Sequence, residues 1–130
     1  YSTINVIMHH LLIKLTLKNP QHPILVDVKY GKDFLCDWIQ MNKMTLIDKP
    51  VMHKFDTQIN DNTQDGGYSG IALLCESHTS IHTYPENGVL YADLFSCNNL
   101  DKVQNERFIK EFTKLNDSEL SVTIQLVIRN

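Results

Sequence analysis

The densest group of reactive side chains in the sequence is the stretch Cys75-Glu76-Ser77-His78-Thr79-Ser80-Ile81-His82. On a helix, the spacing of His78 and His82 would let both rings bind one metal ion. The β-branched residues around them favour a strand instead, and there four residues span roughly 13 Å. Two ligands that each lie about 2 Å from one zinc ion cannot be that far apart. His9 and His10 are adjacent, so on a strand their rings point to opposite faces. We therefore expect no metal site.

The same stretch also lacks the surroundings of a hydrolase nucleophile. In such enzymes the serine lies in a G-x-S-x-G turn, and Gly67-Tyr68-Ser69-Gly70 has the wrong spacing for that turn. Ser77 has no glycine neighbours. By residue type alone, Ser77 is therefore a passive core or turn serine.

Composition restricts the class of protein. With 130 residues, 42% of them apolar and 21% charged, the chain is expected to form one globular domain over 1–130. A net charge of −3 argues against non-specific nucleic-acid binding. Three cysteines without paired spacing predict a reducing compartment. No apolar run reaches the ~18 residues of a membrane span, and the residues after Tyr1 carry no cationic flank, so we expect no signal peptide and a cytoplasmic protein.

The charge is distributed unevenly along the chain. From Phe55 to Asp101 there is no lysine or arginine, and the carboxylates give this segment a formal charge of −7. The remainder holds all 12 basic residues and has a formal charge of +4. The segment is either a solvated loop or a site that accepts a cation or avoids pairing with a substrate's carboxylate. In either case a phosphate site there would lack its usual Lys or Arg.

Hydrophobic periodicity predicts the elements that position these residues. The strand candidates are 11–18, 46–55, 68–76, 79–84, 89–96 and 120–129. The helix candidates are an amphipathic segment over about 31–44 and a second helix that begins after Asn99 or Asp101. Residues 56–67 are strongly polar and are predicted to form a long loop.

The element order β-α-β-β-β-β-α-β predicts an α+β fold. The economical packing is a two-layer α/β sandwich, with a mainly antiparallel sheet and two helices on one face. Two helices cannot cover both faces of six strands. The other face therefore needs polar residues or a partner subunit.

Three blocks of the sequence resemble the small prokaryotic S-adenosylmethionine decarboxylases, which are pyruvoyl-dependent enzymes of polyamine synthesis. The blocks are Gly67–Gly70, Glu76–Glu86 (ESHTSIHTYPE) and Ala92–Cys97 (ADLFSC). The corresponding family patterns are G-V-S-G, E-S-H-x-[ST]-I-H-T-W-P-E and D-[LV]-F-[TS]-C, and the spacing between the blocks fits without gaps. Tyr84 replaces the usual tryptophan, and His53-Lys54-Phe55 is similar to the family's H-R-F.

The resemblance implies a proenzyme that cuts itself between Glu76 and Ser77 into fragments 1–76 (the β chain) and 77–130 (the α chain). The Ser77 hydroxyl would attack the Glu76 carbonyl, and loss of the serine α-proton would leave dehydroalanine, which hydrolyses to a pyruvoyl group. His82 matches the processing base, and histidine suits proton transfer near neutral pH. The pyruvoyl carbonyl would form a Schiff base with the substrate and take up the electron pair left by CO₂.

The other site roles are likewise implied by the resemblance. Cys97 matches the proton donor to the carbanion, and Ser69 matches the serine that positions the Schiff base. Glu86 matches the carboxylate that holds the ribose hydroxyls. Phe55 matches the ring on which adenine stacks.

Two alternatives to S-adenosylmethionine decarboxylation stay open. The same scaffold could decarboxylate ornithine or arginine, although a ribose-binding Glu86 would then have no partner. The chain could also be a partner or binding subunit that never cleaves itself. The resemblance further implies a homodimer of processed protomers and a role in spermidine synthesis. Histidine spacing, net charge and hydropathy predict no metal, nucleic-acid or membrane partner.

Overall fold

The computed structural model of the protein describes residues 7–59 and 62–130. Within these ranges it contains six strands and three helices. The strands are β1 (Met8–Leu17), β2 (Val51–Ile59), β3 (Asn62–Leu74), β4 (Ser77–Tyr84), β5 (Val89–Ser96) and β6 (Leu120–Arg129). The helices are α1 (Pro23–Val26), α2 (Val28–Met41) and α3 (Lys102–Thr113), and a 3₁₀ turn over Pro85–Asn87 joins β4 to β5.

The strands form one sheet in the order β2-β3-β4-β5-β1-β6, and every neighbouring pair is antiparallel. The predicted α+β sandwich is therefore confirmed. Strand β1 lies between β5 and β6, so the first strand of the chain is enclosed by two of the last. The short helix α1 is an addition to the two predicted helices. It begins at Pro23, whose fixed φ suits a first helical position, and the His22 ring accepts a hydrogen bond from Ile24 N.

One face of the sheet packs against the helices to form the core. Strand β1 alternates between buried and exposed side chains, as its period of two predicts. The predicted apolar stripe of α2 is buried as well, including Phe34 and Trp38. The Trp38 indole donates to Asn105 Oδ1 at 2.6 Å, so its buried N–H is satisfied.

The predicted loop over 56–67 is wrong, because most of it is a β-hairpin. Strands β2 and β3 pair through this segment, with Asp56 opposite Asp65 and Ile59 opposite Asn62. The two strands of a hairpin hydrogen-bond to each other, so their backbone groups are paired even where no apolar face packs against the core. A polar composition therefore does not exclude strands. Strand β2 also begins at Val51, after Pro50, rather than at Leu46, which makes only an isolated bridge to Leu74.

The second face of the sheet is not covered by any described element. Its exposed large apolar side chains include those of Leu12, Ile71, Leu73 and Tyr91. This is the uncovered face that the element count predicted, and we call it the open face. In the described residues, no helix is both long enough and apolar enough to cross a membrane.

Candidate active site

The turn between β3 and β4 holds two unusual features side by side. Ser77 is only 8% exposed, and its hydroxyl is buried without a hydrogen-bond partner. Glu76, the residue before it, has φ of 60°, which is left-handed backbone that a residue with a Cβ rarely adopts. An unpaired buried hydroxyl costs about 1–3 kcal/mol. The peptide bond between Glu76 and Ser77 is therefore held in a strained turn beside a hydroxyl with nothing else to bond.

The strand register brings Cys97 to the same turn. His78 on β4 pairs with Phe95 on β5, and continuing this antiparallel register places Ser96 beside Ser77 and Cys97 beside Glu76. Cys97 is an exposed free thiol directly after β5. Its loop is fixed by two hydrogen bonds, from Asn98 N to Ser96 Oγ at 2.9 Å and from Leu100 N to His9 Nδ1 at 3.1 Å. A thiol and the predicted cleavage bond thus share one end of the sheet.

A separate cleft of about 330 Å³ brings together four other predicted site residues. Its walls include Phe55, Ser69, His82 and Glu86. Ser69 and His82 are directly paired across β3 and β4, and the Ser69 hydroxyl lies 2.8 Å from His82 Nδ1. Among the described residues that line the cleft there is no lysine or arginine, and Glu86 carries the one formal charge.

Local structure explains how Phe55 and Glu86 come to the cleft. Phe55 lies at a break in the β2–β3 register, where a bulge re-aims the strand, and its ring is 48% exposed. Glu86 lies in the 3₁₀ turn after Pro85, which ends at Gly88 with φ of 65°. A Cβ at Gly88 would lie 2.7 Å from the Leu17 carbonyl oxygen, so both φ and space require glycine there.

Within one chain, the structure does not bring His82 to Ser77. The side chains of β4 alternate, with Ser77 towards the helices and His82 on the open face. Five residues of strand also separate them by roughly 16 Å. The predicted site residues therefore form two groups. One is the turn at Glu76-Ser77 with Cys97, which we call the cleavage turn after the cut predicted there, and the other is the cleft with Ser69 and His82.

Residues 55–101 contain no lysine or arginine, but basic side chains from two neighbouring strands approach this segment. Lys14 on β1 places its ammonium 5.8 Å from the centre of the Tyr91 ring. Arg129 on β6 places its guanidinium 5.8 Å from the centre of the Phe95 ring. The open face therefore carries positively charged side chains. Among the described residues, the lack of lysine and arginine that the sequence shows extends to the lining of the cleft.

Residue patterns missed a polar cluster on the open face near the cleavage turn. Asp93 on β5 contacts His10 on β1, with 2.7 Å between Oδ2 and Nε2, and accepts a short hydrogen bond from Ser80 on β4. The His10 ring lies 6.5 Å from that of His78. Alternation along the strands places all four on one face, but only the register shows that they meet. In the described part of the chain, no three His, Cys, Asp or Glu residues are grouped to hold a metal ion.

Comparison with known proteins supports the resemblance over most of the chain. A family model described as S-adenosylmethionine decarboxylase matches residues 9–124. A curated S-adenosylmethionine decarboxylase proenzyme from Thermodesulfovibrio yellowstonii is 36% identical over 88 residues, which cover 68% of this chain and 57% of that protein. The proenzyme of the same name from Anoxybacillus flavithermus is 30% identical over 91 residues, covering 58% of this chain and 67% of the relative. The chain thus spans just over half the length of the first relative.

A solved structure shows the same fold. The crystal structure of the adenosylmethionine decarboxylase from Aquifex aeolicus superposes with a TM-score of 0.62, at 22% sequence identity. The match covers 94% of this chain and 91% of that one. At this identity the likeness concerns the fold alone.

Proposed function

The chain belongs to the S-adenosylmethionine decarboxylase family, and on that premise we propose that it cuts itself at Glu76-Ser77 and then decarboxylates S-adenosyl-L-methionine. The observation that carries this proposal is the unpaired, buried hydroxyl of Ser77 beside the left-handed Glu76. The product would be the aminopropyl donor for spermidine synthesis. The three free cysteines fit a reducing cytoplasm as the site of this reaction.

The cleavage chemistry uses groups that the turn already places together. The Ser77 hydroxyl adds to the Glu76 carbonyl, and the amide becomes an ester as the Ser77 nitrogen leaves and takes up a proton. A base then removes the Ser77 α-proton, and the Glu76 carboxylate leaves, which ends the chain at residue 76. Water converts the remaining dehydroalanine to a pyruvoyl group and releases ammonia. The orphaned hydroxyl supports the first step, because its attack breaks no existing hydrogen bond of Ser77.

In the proposal, Ser77 is converted to the pyruvoyl group that takes part in decarboxylation. When formed, it supplies an electrophilic carbonyl that binds the substrate's α-amine and accepts the electron pair released with CO₂. Cys97 is the proton donor in the proposal, since it is an exposed thiol in register with the cleavage turn. No metal takes part in the proposal.

The cleft supplies the binding groups for the nucleoside part of the substrate. Glu86 accepts hydrogen bonds from the ribose hydroxyls, and the exposed ring of Phe55 stacks on adenine. The positive sulfonium meets no lysine or arginine among the residues lining the cleft. Ornithine and arginine are also cations, but neither has a ribose for Glu86 or a base for Phe55.

The distance between the two groups of residues supports the proposal that a second copy of the chain takes part. If His82 is the processing base and Ser69 positions the substrate, they must act on the Ser77 of a partner subunit. The open face is the surface for such a homodimer, because its exposed apolar side chains include Leu12 and Ile71. We propose that two open faces pack together, so that the cleft of one protomer lies against the cleavage turn of the other.

Intact mass of the purified protein tests the cleavage. We expect fragments 1–76 and 77–130, the second without a free amino terminus and thus resistant to Edman degradation. Ser77→Ala should abolish the cut, whereas Cys97→Ala should permit it and impair turnover. A full-length wild-type chain with an intact Ser77 would show instead that the protein is a partner or binding subunit.

Release of ¹⁴CO₂ tests the substrate. Carboxyl-labelled S-adenosylmethionine, ornithine and arginine are compared with the same cleaved enzyme. Turnover of S-adenosylmethionine at a kcat/KM at least a hundredfold above the others is expected. A preference for either plain amino acid would overturn the role given to Glu86 and Phe55.

A further inference from the structure

We infer that Asp93 is a positioning residue that fixes the first residues of β4, and with them residue 77, relative to Cys97. This inference rests on the proposed function, because residue 77 matters in this way only after the chain is cut. It concerns none of the residues assigned a role above.

Asp93 ties together three neighbouring strands. Its carboxylate oxygens contact His10 on β1 at 2.7 Å and Ser80 on β4 through a short hydrogen bond. Its backbone carbonyl accepts a second bond from β4, from Thr79 Oγ1 at 2.7 Å. The side chains of His10 and Asp93 are only 25% and 22% exposed. A carboxylate that is this far withdrawn from water needs such partners.

The contacts lie close to both proposed reacting groups. Thr79 and Ser80 follow residue 77 by two and three positions, and Asp93 precedes Cys97 by four on the neighbouring strand. Between them, the ring of His78 stacks on that of Phe95, with centroids 5.3 Å apart. One set of side chains therefore connects the start of β4 to the end of β5.

Cleavage makes this connection important. Before the cut, residue 77 is held on both sides by the chain, and afterwards it is a chain terminus. Termini fray unless they are tied down. Asp93 accepts hydrogen bonds from Thr79 and Ser80, which lie within three residues of the new terminus. His10, which belongs to the other fragment, contacts the Asp93 carboxylate. A misplacement of about 1 Å between reacting groups can reduce the rate on the order of a hundredfold.

The test compares variants of the cleaved enzyme in steady-state kinetics and in amide hydrogen exchange. Asp93→Ala and the milder Ser80→Ala should each lower kcat at least tenfold and change KM less than threefold, since the cleft that binds the nucleoside is untouched. His10→Leu should resemble them, whereas His10→Gln, which keeps a donor towards Asp93, should recover most of kcat. Ile109→Val is the control, because it weakens the core without touching the open face. It should lower Tm and leave kcat unchanged.

Hydrogen exchange separates this inference from the proposed function. The amides of residues 78–80 should exchange at least tenfold faster in Asp93→Ala and Ser80→Ala, and at the wild-type rate in Ile109→Val. If the wild-type chain neither cleaves nor releases CO₂, the proposed function fails, and exchange alone shows whether Asp93 holds the start of β4. Unchanged exchange, or a kcat within twofold of wild type in both variants, overturns the inference.

Discussion

Ser77 and His82 belong to the same strand, β4, and their side chains project from opposite faces of the sheet. A base cannot take a proton from a residue that lies roughly 16 Å away along the same strand. If both residues serve one cleavage reaction, each must come from a different chain.

Mixing two inactive chains tests this arrangement. Ser77→Ala and His82→Ala should each remain uncut when expressed alone. Co-expressed, they should form mixed dimers in which the His82→Ala chain keeps its Ser77 and receives the base from the other subunit. Mass spectrometry should then show cleavage of the His82→Ala chain only, in up to about half of its copies. Cleavage of His82→Ala by itself would exclude His82 as the base.

The unpaired hydroxyl of Ser77 should make the uncut protein less stable than it could be. Removing a buried polar atom that has no partner recovers its desolvation cost, so Ser77→Ala is expected to raise the free energy of unfolding by about 1 kcal/mol. Urea denaturation of Ser77→Ala/His82→Ala against His82→Ala measures this, because we expect both chains to be uncut. A loss of stability on adding Ser77→Ala would mean that the hydroxyl is hydrogen-bonded in solution.

Glu86→Gln should weaken substrate binding without affecting the cut. The amide accepts hydrogen bonds less strongly than a carboxylate, and a loss of about 1.4 kcal/mol corresponds to a tenfold rise in KM. The extent of cleavage and kcat should stay within twofold of wild type. Asn87→Ala is the matched control, since Asn87 lies in the same 3₁₀ turn and does not line the cleft. Equal effects of both variants on KM would assign the effect to the turn rather than to the carboxylate.

Stability should fall on mild acidification because of His22. Burial lowers the pKa of His22 below its ordinary value of 6.5, against the opposing effect of its hydrogen bond to the Thr113 carbonyl and the charge of Glu119. The unfolded chain therefore takes up a proton near pH 6.5 that the folded chain does not. The contribution of neutral His22 to the free energy of unfolding is fully present above pH 6.5. It declines as the pH falls from 6.5 towards the lowered pKa of the folded protein.

His22→Asn isolates this contribution, since asparagine keeps an acceptor at the start of α1. Urea midpoints at pH 7.5 and 5.5, both measured in the uncut Ser77→Ala background, should drop further for His22 than for Asn at this position. An equal drop in both proteins would assign the pH dependence to other groups.

Periodicity was sufficient wherever one side of an element meets the core. β5 and β6 were predicted with their observed bounds, and the stripe of α2 around Phe34 and Trp38 is buried as expected. The failures lie where an element is too polar or too short for its contacts to produce a readable pattern. Residues 56–59 and 62–67 belong to the strands of a polar hairpin, and the four residues of α1 are too few for a helical period.

Part of the geometry of the site follows from alternation along a single strand, and part depends on which strands lie side by side. Alternation along β4 places Ser77 and His82 on opposite faces, but only the structure shows that the strand begins at Ser77 rather than at the predicted Thr79. The approach of Cys97 to the cleavage turn, and of Asp93 to His10, depends on which strands are neighbours. That neighbourhood arises from packing of the whole sheet, so no local pattern could predict it.

The position of β1 between β5 and β6 has a consequence for stability if the chain is cut between Glu76 and Ser77 as proposed. β1 belongs to the first fragment, and both of its neighbours belong to the second. The two fragments would therefore share one sheet, and neither could diffuse away without breaking three ladders, those of β1 with β5 and β6 and that of β3 with β4. Once such a two-chain molecule has unfolded, its recovery becomes a bimolecular encounter whose rate depends on concentration. The uncut chain refolds as a single molecule, so the cut at residue 77 would make unfolding practically irreversible in dilute solution.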